Sequence, residues 1–521
     1  MAAFSSTVER DIRSIMGERC SFARETLEQY RSDRCWYSVM PLGLVFPRDA
    51  EEVKHVVRYC YNNEIPVIPR GAATGLAGQA VGMGLIIDFT KHMTNIQTLE
   101  DLSVRVQPGV VLESLNRTLQ PEGRFFPVDP ASASLCTIGG MIATNAAGAH
   151  GIRYGSMKDH VRSLTVVLSN GEKAVIGPPG QDIDDSVNPF LAGIVRTLSP
   201  LLQGKRDAIR RAFPDVPKNS SGFNLKDAVA GSQTDFRKLL VGSEGTLAVV
   251  VEAELQTAPV PAYRLGSLLS LPTYDHAVDA TLAALDLHPS AVEIMDQTYT
   301  RLAAGLDPAV DRIINEGSPV LLYVEFEGDV LEELQKFVVQ LGRFAAHLPA
   351  GRHLPLTEAT EQRAFWRLRE EASKAINSEQ DRRKSSFIED VCVPVRHLAT
   401  YVRGLKAILD RYDIRFSLYG HAATGNIHCA AFVDLTDLRQ YRLVDTVASE
   451  VYDLAIGLGG TLSGEHGDGF VRTPFLERLY GKDTYSLFRM VKHVFDPHFI
   501  LNPGKIIGEQ NATILHDLNL S

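Results

Sequence analysis

The sequence predicts an α+β protein built in two main parts, and three observations lead to that class. In the first half, short apolar runs alternate with stretches of helical periodicity, separated by loops rich in glycine and alanine. A proline-rich segment at 258–261 (APVP) interrupts this alternation and marks a boundary. Beyond it, two strand-like runs joined by a short turn indicate an antiparallel sheet. The 521 residues suffice for several domains, each with its own core.

Changes of pattern divide the chain into four segments. Residues 1–40 are charged and helical in pattern, and residues 41–260 carry the alternation of strands and helices. Residues 261–473 form a second unit, and residues 474–521 are predicted to be helix and loop. Within the first part, residues 49–59 begin with acidic residues and carry an apolar stripe, which predicts an amphipathic helix.

A glycine-rich loop lies between two apolar strands near the N-terminus. Residues 65–71 (IPVIPRG) and 85–89 (LIIDF) have the pattern of strands, and residues 72–84 between them are mostly small. Small side chains leave backbone N–H groups accessible, and such a loop can bind phosphate oxygens. The Rossmann fingerprint requires a helix directly after the glycines, and five glycines within residues 71–84 exclude one. The flanking strands argue against a flexible linker.

Further stretches of small residues follow at 129–148, 153–156 and 241–249. Together with the first loop they allow the backbone to approach a long, flat ligand at several points. A nucleotide cofactor with a pyrophosphate and a ring system has that shape. The sequence therefore predicts such a cofactor in the first part of the chain.

Three histidines and a glutamate are concentrated in the last quarter of the chain. His421 ends the run RFSLYGH and His428 starts a second run after the turn AATGN, so a hairpin would place both imidazoles side by side. Glu465, in the segment SGEHGDG, could complete a set of two histidines and one carboxylate around a divalent metal. On an extended backbone the side chains of Glu465 and His466 would point apart, leaving His466 available as a base. Each histidine alone is better explained as a satisfied polar residue near a turn, but the set as a whole favours a metal site.

Composition excludes several classes of protein. A formal net charge of −10 argues against nucleic acid as the main partner. The six cysteines have no CxxC spacing, which argues against an iron–sulfur cluster or zinc knuckle and favours buried thiols of a reducing compartment. No apolar run has the length of a membrane span, and residues 1–13 lack a secretory signal. We therefore expect a cytoplasmic protein, with peripheral contact to a membrane left open.

These motifs occur in an order that resembles the vanillyl-alcohol-oxidase-type flavoproteins, whose FAD-binding domain is termed PCMH-type. The motifs are PRGAATGLAGQ, CTIGGMIATNAAG, VGSEGTLAVV, the histidine hairpin, SGEHGDG and the terminal NPGK, and the resemblance runs from Leu42 to Ile507. Within that superfamily the chain is similar to the D-2-hydroxyacid dehydrogenases, which include D-lactate dehydrogenase, D-2-hydroxyglutarate dehydrogenase and the flavin subunit of glycolate oxidase. The resemblance implies a two-part PCMH-type FAD-binding domain at 41–260 and an α+β cap domain with an antiparallel sheet at 261–473. The segment 474–521 is then expected to return to the FAD domain.

The resemblance also implies FAD-binding residues through their positions in the motifs. Those implied for the pyrophosphate are Pro69, Arg70, Gly71, Ala72, Ala73, Thr74 and Gly75. Those implied for the ribityl chain and ring are Pro130, Ala131, Thr137, Gly140, Asn145 and Gly148, with Asn502 closing over the ring. Those implied for the adenine side are Glu244, Gly245 and Val249. The first loop has no histidine or cysteine, so we expect non-covalent FAD. Relatives often have GDGN in the turn of the histidine hairpin, where this chain has ATGN.

For the chemistry, the resemblance implies oxidation of a D-2-hydroxy acid to the 2-oxo acid, with hydride transfer to the flavin. D-lactate is the first candidate substrate, followed by D-2-hydroxyglutarate and glycolate. A divalent metal, zinc or else manganese or iron, is expected on His421, His428 and Glu465, where it would assist deprotonation of the hydroxyl. His466 is expected to accept the proton. Arg369 matches the position of a carboxylate-binding arginine, with a surface salt bridge in a charged helix as an equal alternative.

Two other functions stay open at this point. One is a flavin-dependent ether-lipid synthase similar to alkylglycerone-phosphate synthase, although those relatives have a histidine-rich segment where this chain has GEHG. The other is a non-catalytic subunit that binds flavin for electron transfer, which the complete set of ligands and base disfavours. A dehydrogenase also requires an electron acceptor, for which a quinone, a cytochrome, a flavoprotein and an iron–sulfur partner are candidates. The sequence leaves open the substrate's R-group and whether the protein forms a homodimer.

Overall fold

A computed structural model describes residues 4–180, 186–301, 319–348, 351–378, 384–435, 437–508 and 513–515. Strands in the first part of the chain are β1 Cys20–Ser21, β2 Gly43–Val45, β3 Val67–Arg70, β4 Leu85–Asp88, β5 Ile96–Thr98, β6 Ser103–Val106, β7 Arg124–Phe125, β8 Val161–Val167, β9 Lys173–Ile176, β10 Val249–Gln256 and β11 Ala258–Pro259. Helices there are α1 Ser6–Met16, α2 Arg24–Glu28, α3 Ala50–Asn62, α4 Leu112–Leu119, α5 Ile138–Thr144, α6 Gly151–Tyr154, α7 Met157–His160, α8 Pro189–Gly204, α9 Arg206–Ala212, α10 Leu225–Ala228 and α11 Phe236–Leu240.

The second part of the chain continues with a different set of elements. Its strands are β12 Tyr263–Leu271, β13 Ala291–Asp296, β14 Val320–Gly328, β15 Arg352–Leu356, β16 Lys384–Ser385, β17 Val391–Cys392, β18 Arg415–His421 and β19 Asn426–Phe432. Its helices are α12 Tyr274–Leu285, α13 Gln297–Arg301, α14 Leu331–Ala346, α15 Ala359–Ser378, α16 Leu398–Arg411, α17 Leu438–Gly457, α18 Gly469–Arg472 and α19 Leu476–Phe495. We refer to the part with β1–β11 as the N-terminal domain and to the part with β12–β19 as the cap domain.

The N-terminal domain contains two main sheets. Strands β1-β2-β4-β3 pair in that order, and the pairs β2–β4 and β4–β3 are parallel. Parallel strands are covered on both faces, and all residues of β4 are accordingly buried. The second sheet, β5-β6-β10-β8-β9, is antiparallel, and β10 alternates buried and half-exposed residues because only one of its faces meets the core.

Helix α3 forms as its sequence predicts. The side chain of Asp49 accepts a hydrogen bond from the backbone N–H of Glu52 and so caps the first turn. The buried face consists of Val53, Val56, Val57 and Cys60. Among the described residues up to position 40, the helices are α1 and α2, and strand β1 between them pairs with β2.

The C-terminal segment packs beside the first glycine-rich loop. After helix α19, the N–H of Val67 donates to the carbonyl of Ile500 (2.7 Å), and the N–H of Asn502 donates to the carbonyl of Val67 (2.8 Å). The amide of Asn502 also donates to the carbonyls of Gln79 (2.9 Å) and Glu244 (2.7 Å). One residue near the C-terminus therefore connects two of the predicted cofactor loops.

The cap domain is built on an antiparallel sheet in the order β15-β12-β14-β13-β18-β19-β16, with β17 also paired to β19. Directly opposed residues of antiparallel strands share a face, and the register opposes Glu293 to His421 and Tyr419 to His428. Glu293, His421 and His428 therefore lie on one face, and Glu325 joins them because it opposes Ala291. The other face is apolar and packs into the core with the cap helices. The predicted α+β class with an antiparallel cap sheet is confirmed.

The predicted histidine hairpin is present. Strands β18 and β19 are joined by a 3₁₀ turn at Ala422–Thr424, followed by Gly425 with φ of 70°. A side chain at Gly425 would overlap the carbonyl oxygen of Val393, so both the backbone angle and the space require glycine. This turn brings the two ends of the hairpin together with His421 and His428 on the same face.

Candidate active site

Three side chains from the cap domain converge at one buried point. The Nε2 of His421 lies 3.0 Å from Oε1 of Glu465 and 3.3 Å from Nε2 of His428. The Nε2 of His428 lies 3.4 Å from the same carboxylate oxygen. His421 and His428 belong to the hairpin, and Glu465 belongs to the loop between α17 and α18. The fold therefore brings together the three residues that the sequence predicts as metal ligands.

The donor set of this cluster fits a divalent cation. Ligand atoms about 2.1 Å from zinc lie about 3.0–3.4 Å apart at octahedral or tetrahedral angles. The Nδ1 of His421 is hydrogen-bonded to Glu293, so the Nε2 of a neutral ring presents a lone pair to the Glu465 carboxylate. A proton or a cation between these two acceptors would remove their repulsion. Asp390, His428, Glu465 and His466 also offer ligand atoms within 4.8 Å of one another.

Glu293 connects His421 to Arg369. Its Oε1 lies 2.6 Å from Nδ1 of His421, and its Oε2 pairs with Nε of Arg369. Burial raises the pKa of Glu293, but Arg369 and His421 outweigh burial and lower it, so Glu293 is a carboxylate. Arg369 is only 9% exposed, so the interpretation of a surface salt bridge is wrong. Its role towards a substrate stays a prediction.

Lys218 donates a hydrogen bond to Oε2 of Glu465, the carboxylate oxygen that does not face the histidines. Its Nζ donates to Oε2 of Glu465 (2.6 Å) and to the carbonyl of Gly148 (2.7 Å), and the side chain is buried. Burial raises the pKa of Glu465, but Lys218 and His421 outweigh it and hold the pKa well below its ordinary value. Glu465 therefore presents one oxygen to the histidines, and Lys218 links it to a stretch predicted to face the flavin ring.

His466 lies at the edge of this cluster with its ring stacked on His428, at a centroid separation of 5.0 Å. Its Nδ1 lies 2.8 Å from Oε1 of Glu389, and its Nε2 lies 3.9 Å from Oε1 of Glu465. The expectation that Glu465 and His466 point apart is therefore wrong, because the segment bends there. Burial lowers the pKa of His466, but Asp390 and Glu389 outweigh burial and raise it to about 9.

Several residues predicted to bind the cofactor have unusual backbone angles. Ala73, Asn145, Glu244 and Asn502 have φ values of 54°, 51°, 53° and 40°, in the left-handed region that side chains other than glycine rarely adopt. Such angles persist only where the surroundings impose them, and they concentrate at binding sites. They come from four separate motifs, so the predicted cofactor path has residues in this region of φ at several points.

Open space and unsatisfied polar atoms accompany these strained residues. The loops at 71–76 and 129–135 are half-exposed or exposed, although the strands that flank the first loop, β3 and β4, are mostly buried. The Oγ1 of Thr137 and the Oδ1 of Asn502 are buried without a hydrogen-bond partner in the described part of the chain. A side chain at Gly71 would overlap Thr137, so the first two loops approach closely there. A cradle of small residues with unpaired polar atoms fits FAD.

Some predicted cofactor residues have side chains that are already engaged. The guanidinium of Arg70 donates to the carbonyls of Tyr30, Ser32 and Ala80, so it supports the loop from behind. Glu244 accepts from the backbone N–H groups of Asp468 and Gly469, which ties the N-terminal domain to the SGEHGDG loop. Burial and then Asp468 raise the pKa of Glu244 to about 8.

Val249 is also engaged, because its side chain is buried in the core. The positions predicted for the pyrophosphate and adenine stay predictions, and for Arg70 and Val249 any contact would come from the backbone. A separate contact joins the first loop to the cluster, because Nε2 of Gln79 donates to the carbonyl of His466 (2.7 Å).

Four residues of the site have no counterpart in the sequence prediction. Glu293 could have been found as an acidic residue in the middle of a mostly apolar strand, AVEIMD. Glu389 and Asp390 precede the short buried strand β17, and an acidic pair at that position is a weaker signal. Lys218 lies in a loop between α9 and α10 and carried no signal.

Two protein-family models match separate parts of the chain. Residues 41–177 match a model described as FAD binding domain, and residues 260–506 match one described as FAD linked oxidases, C-terminal domain. The glycolate oxidase subunit GlcD of Bacillus subtilis is 30% identical over 480 residues, which cover 91% of this chain and 90% of that protein. The chain belongs to the FAD-linked oxidase family. The family that the sequence motifs predict is confirmed.

Other relatives extend the comparison to dehydrogenases. A probable mitochondrial D-lactate dehydrogenase of Danio rerio is 30% identical, with 97% of this chain and 93% of that protein covered. The D-2-hydroxyglutarate dehydrogenase of Haemophilus influenzae is 29% identical over 96% of this chain. The chain spans about half the length of that protein, since 50% of it is covered.

Solved structures show the same fold at low identity. A p-cresol methylhydroxylase with substrate bound has a TM-score of 0.71 at 14% identity, with 96% of each chain covered. An alkyldihydroxyacetonephosphate synthase has a TM-score of 0.66 at 15% identity, with 96% of this chain and 86% of that chain covered. Among the described residues, no helix of this family member is both long and apolar enough to span a membrane.

Proposed function

We propose that this protein is an FAD-dependent dehydrogenase that oxidises a D-2-hydroxy acid to the 2-oxo acid. The observation that carries the proposal is the convergence of His421, His428 and Glu465 beside His466, next to the loops predicted to hold FAD. D-lactate is the first candidate substrate, with D-2-hydroxyglutarate and glycolate next, because the relatives carry these names. The electron acceptor is proposed to be a separate partner or cofactor.

The chemistry divides between bound groups and side chains. When bound, a divalent cation lowers the pKa of the substrate hydroxyl, and FAD accepts the electron pair. His421, His428 and Glu465 are the residues that would hold the cation. The ordinary pKa of imidazole is close to neutral, and the surroundings shift the pKa values of the two histidines in opposite directions. Burial lowers the pKa of His421, but Glu293 outweighs burial and raises it. The pKa of His428 is lowered by burial, so that ring is neutral and able to act as a ligand.

His466 is proposed to take the proton of the substrate hydroxyl. Because the pKa of His466 is raised to about 9, the fraction of the ring in the neutral form, which can accept a proton, increases as pH rises. As the C2–H bond breaks and the C=O bond forms, the hydroxyl proton passes to Nε2 of His466, and the hydrogen at C2 leaves with its electron pair. The Nδ1 of the ring is held by Glu389, so Nε2 is the nitrogen left for this transfer. Arg369 contributes a buried positive charge for the substrate carboxylate, on the side of His421 opposite Glu465.

The alternatives receive no specific support. The structural similarity to an alkyldihydroxyacetonephosphate synthase shows the fold alone, at 15% identity. A subunit that only carries electrons would have no need for three converging ligands and a neighbouring histidine.

Two variants test the proposed roles of Glu465 and His466. His466→Ala should retain FAD and metal and slow anaerobic flavin reduction by about 10²–10⁴-fold, the usual contribution of a positioned base. Glu465→Ala should lose the metal and, with it, activity. The measurements are FAD and metal stoichiometry and stopped-flow bleaching of the flavin with a panel of D-2-hydroxy acids.

The wild-type protein provides the reference for both variants. It should be yellow and should release FAD after acid precipitation, since no covalent anchor is expected. If His466→Ala loses the metal while Glu465→Ala retains it, the two roles are exchanged. If no D-2-hydroxy acid reduces the wild-type flavin, the proposed function is wrong.

A further inference from the structure

Glu389 is hydrogen-bonded to the ring of His466, and its other carboxylate oxygen, Oε2, lies 4.0 Å from Nδ1 of His428. Its Oε1 lies 2.8 Å from Nδ1 of His466, and the carboxylate is 4% exposed. A carboxylate accepts hydrogen bonds, so this contact requires a proton on Nδ1. In the neutral ring Nε2 then carries the lone pair. The contact therefore selects which nitrogen of His466 can take up a proton.

Arg472 fixes the carboxylate of Glu389 in turn. The guanidinium is fully buried and pairs with Oε1 of Glu389 through Nη2 (3.2 Å). The same nitrogen donates to the backbone carbonyl of Glu389, and Nη1 donates to the carbonyl of Gly467 (2.6 Å). Arg472 lies six residues after His466, at the end of helix α18, so the segment that carries the ring also supplies the cation that pairs with its carboxylate partner.

The neighbouring residue, Asp390, lies 3.9 Å from Nδ1 of His466 but directs its hydrogen bonds to the loop instead of the ring. Its Oδ2 accepts from the backbone N–H of Glu465 (3.1 Å) and of His466 (2.8 Å) and from Oγ of Ser463 (2.5 Å). These three contacts set the path of the loop that carries Glu465 and His466. The conformation of the loop is therefore accounted for by Asp390, and the side chain of Glu389 contacts the ring of His466 instead.

We propose that Glu389 is a positioning residue that holds His466 with Nδ1–H bound to its carboxylate and Nε2 directed to the substrate. The inference rests on the proposed role of His466 as proton acceptor. A buried carboxylate behind an imidazole both orients the ring and stabilises the charge that the ring acquires with the proton. Glu389 hydrogen-bonds to His466, whereas its 4.0 Å approach to Nδ1 of His428 is beyond hydrogen-bonding distance, so we expect it to act on the rate of proton transfer and to leave the metal bound.

The test compares Glu389→Gln with Asp390→Asn, two isosteric changes at adjacent positions. Glu389→Gln should retain FAD and metal, leave KM for D-lactate within about threefold, and lower the rate of flavin reduction by about 10²–10⁴-fold. Glu389→Asp keeps the charge and should recover part of that rate. Asp390→Asn should disturb the loop and lower metal content. If Glu389→Gln reduces its flavin as fast as the wild type, the positioning role is wrong.

A spectroscopic arm is independent of turnover. The Nδ1–H of His466 should give a low-field proton resonance in the wild-type holoprotein, absent in His466→Ala and shifted or absent in Glu389→Gln. An unchanged resonance in Glu389→Gln contradicts the inference. Failure of the proposed function is distinguishable, because it would appear as an unimpaired His466→Ala or as a wild-type flavin that D-2-hydroxy acids do not reduce.

Discussion

Two clusters in this molecule place histidines between carboxylates, and they differ in what the ring nitrogens face. His150, from the N-terminal domain, has Nδ1 at 2.6 Å from Asp129 and Nε2 at 2.7 Å from Glu325 of the cap. Both nitrogens are occupied. In the candidate active site, the Nε2 atoms of His421 and His428 are directed at each other and at Glu465. The contacts of His150 complete an ion network between the two domains. At the candidate active site, the lone pairs of the Nε2 atoms and of the Glu465 carboxylate converge on one point.

The charges around His150 explain why its cluster is closed. Glu325 and Glu327 together with His150 offer ligand atoms within 4.8 Å of one another, so distance alone would allow a cation. However, Glu327 already pairs with Nε of Arg264 (2.6 Å) and Nε of Arg153 (3.4 Å). Burial lowers the pKa of His150, but Asp129 and Glu325 outweigh it and hold the pKa well above its ordinary value. The positive charge of the His150 ring thus compensates the negative charge of the carboxylates. Residue types that can bind a metal therefore form a metal site only where their lone pairs are not already used by other partners.

The largest effect is expected from His421→Ala. This change removes a proposed ligand, so metal affinity should fall by more than about 100-fold, beyond what loss of an outer contact costs. Flavin reduction should be abolished while FAD stays bound, because the predicted FAD contacts lie in the other domain. Metal analysis and anaerobic bleaching measure both. His150→Ala is the matched control and should keep its metal. If His150→Ala loses the metal and His421→Ala keeps it, the metal binds at the His150 cluster and the proposed ligand set is wrong.

A smaller effect is expected from Glu293→Gln, matched with Glu325→Gln. Each glutamate holds one nitrogen of a histidine, on adjacent strands and the same sheet face. If His421 is a ligand, loss of the Glu293 charge should weaken metal binding by about 10–100-fold. Glu325→Gln should leave metal affinity unchanged. Titration of the metal-depleted holoflavoprotein with zinc gives both affinities, and equal affinities in the two variants would contradict the assignment of His421.

The smallest effect on catalysis, but a clear one on stability, is expected from His150→Gln. Removing one partner of a buried ion pair costs about 3–5 kcal/mol. Because the folded-state pKa of His150 is raised, its contribution is complete below the unfolded value of about 6.5 and is lost as pH rises through the folded-state pKa. Glu325, whose pKa the surroundings lower to about 2, contributes above about 4.5 and loses its contribution as pH falls towards 2.

Thermal unfolding of the wild type and His150→Gln between pH 5 and pH 9 checks this expectation. The difference between their unfolding midpoints should be largest near pH 5–6. It should shrink at alkaline pH, because His150 loses its proton as pH rises. A difference that grows with rising pH would show that His150 is neutral in the folded protein.

Much of the candidate site was predictable because its signals are local. The positions of His421 and His428 follow from a short turn between two strand-like runs, and strand alternation then decides that they share a face. The glycine-rich loops were visible because their composition departs from that of a helix or strand. The expectation for Glu465 and His466 was wrong because it assumed an extended backbone, whereas Asp390 bends the loop through contacts 75 and 76 residues away in the chain.

By itself, the sequence determined the α+β class, the family, the hairpin and which residues converge at the candidate site, since each depends on motifs or on residues close in the chain. Only the tertiary structure decided which charges surround them. Glu293 meets His421 across 128 residues, Lys218 meets Glu465 across 247, and Glu389 meets His466 across 77. Such pairings depend on how sheets and loops pack, and local periodicity carries no information about which distant side chain fills a buried position. The sequence alone therefore does not separate His150 from His466. Their distant partners make the first a member of a closed ion network and the second a candidate base.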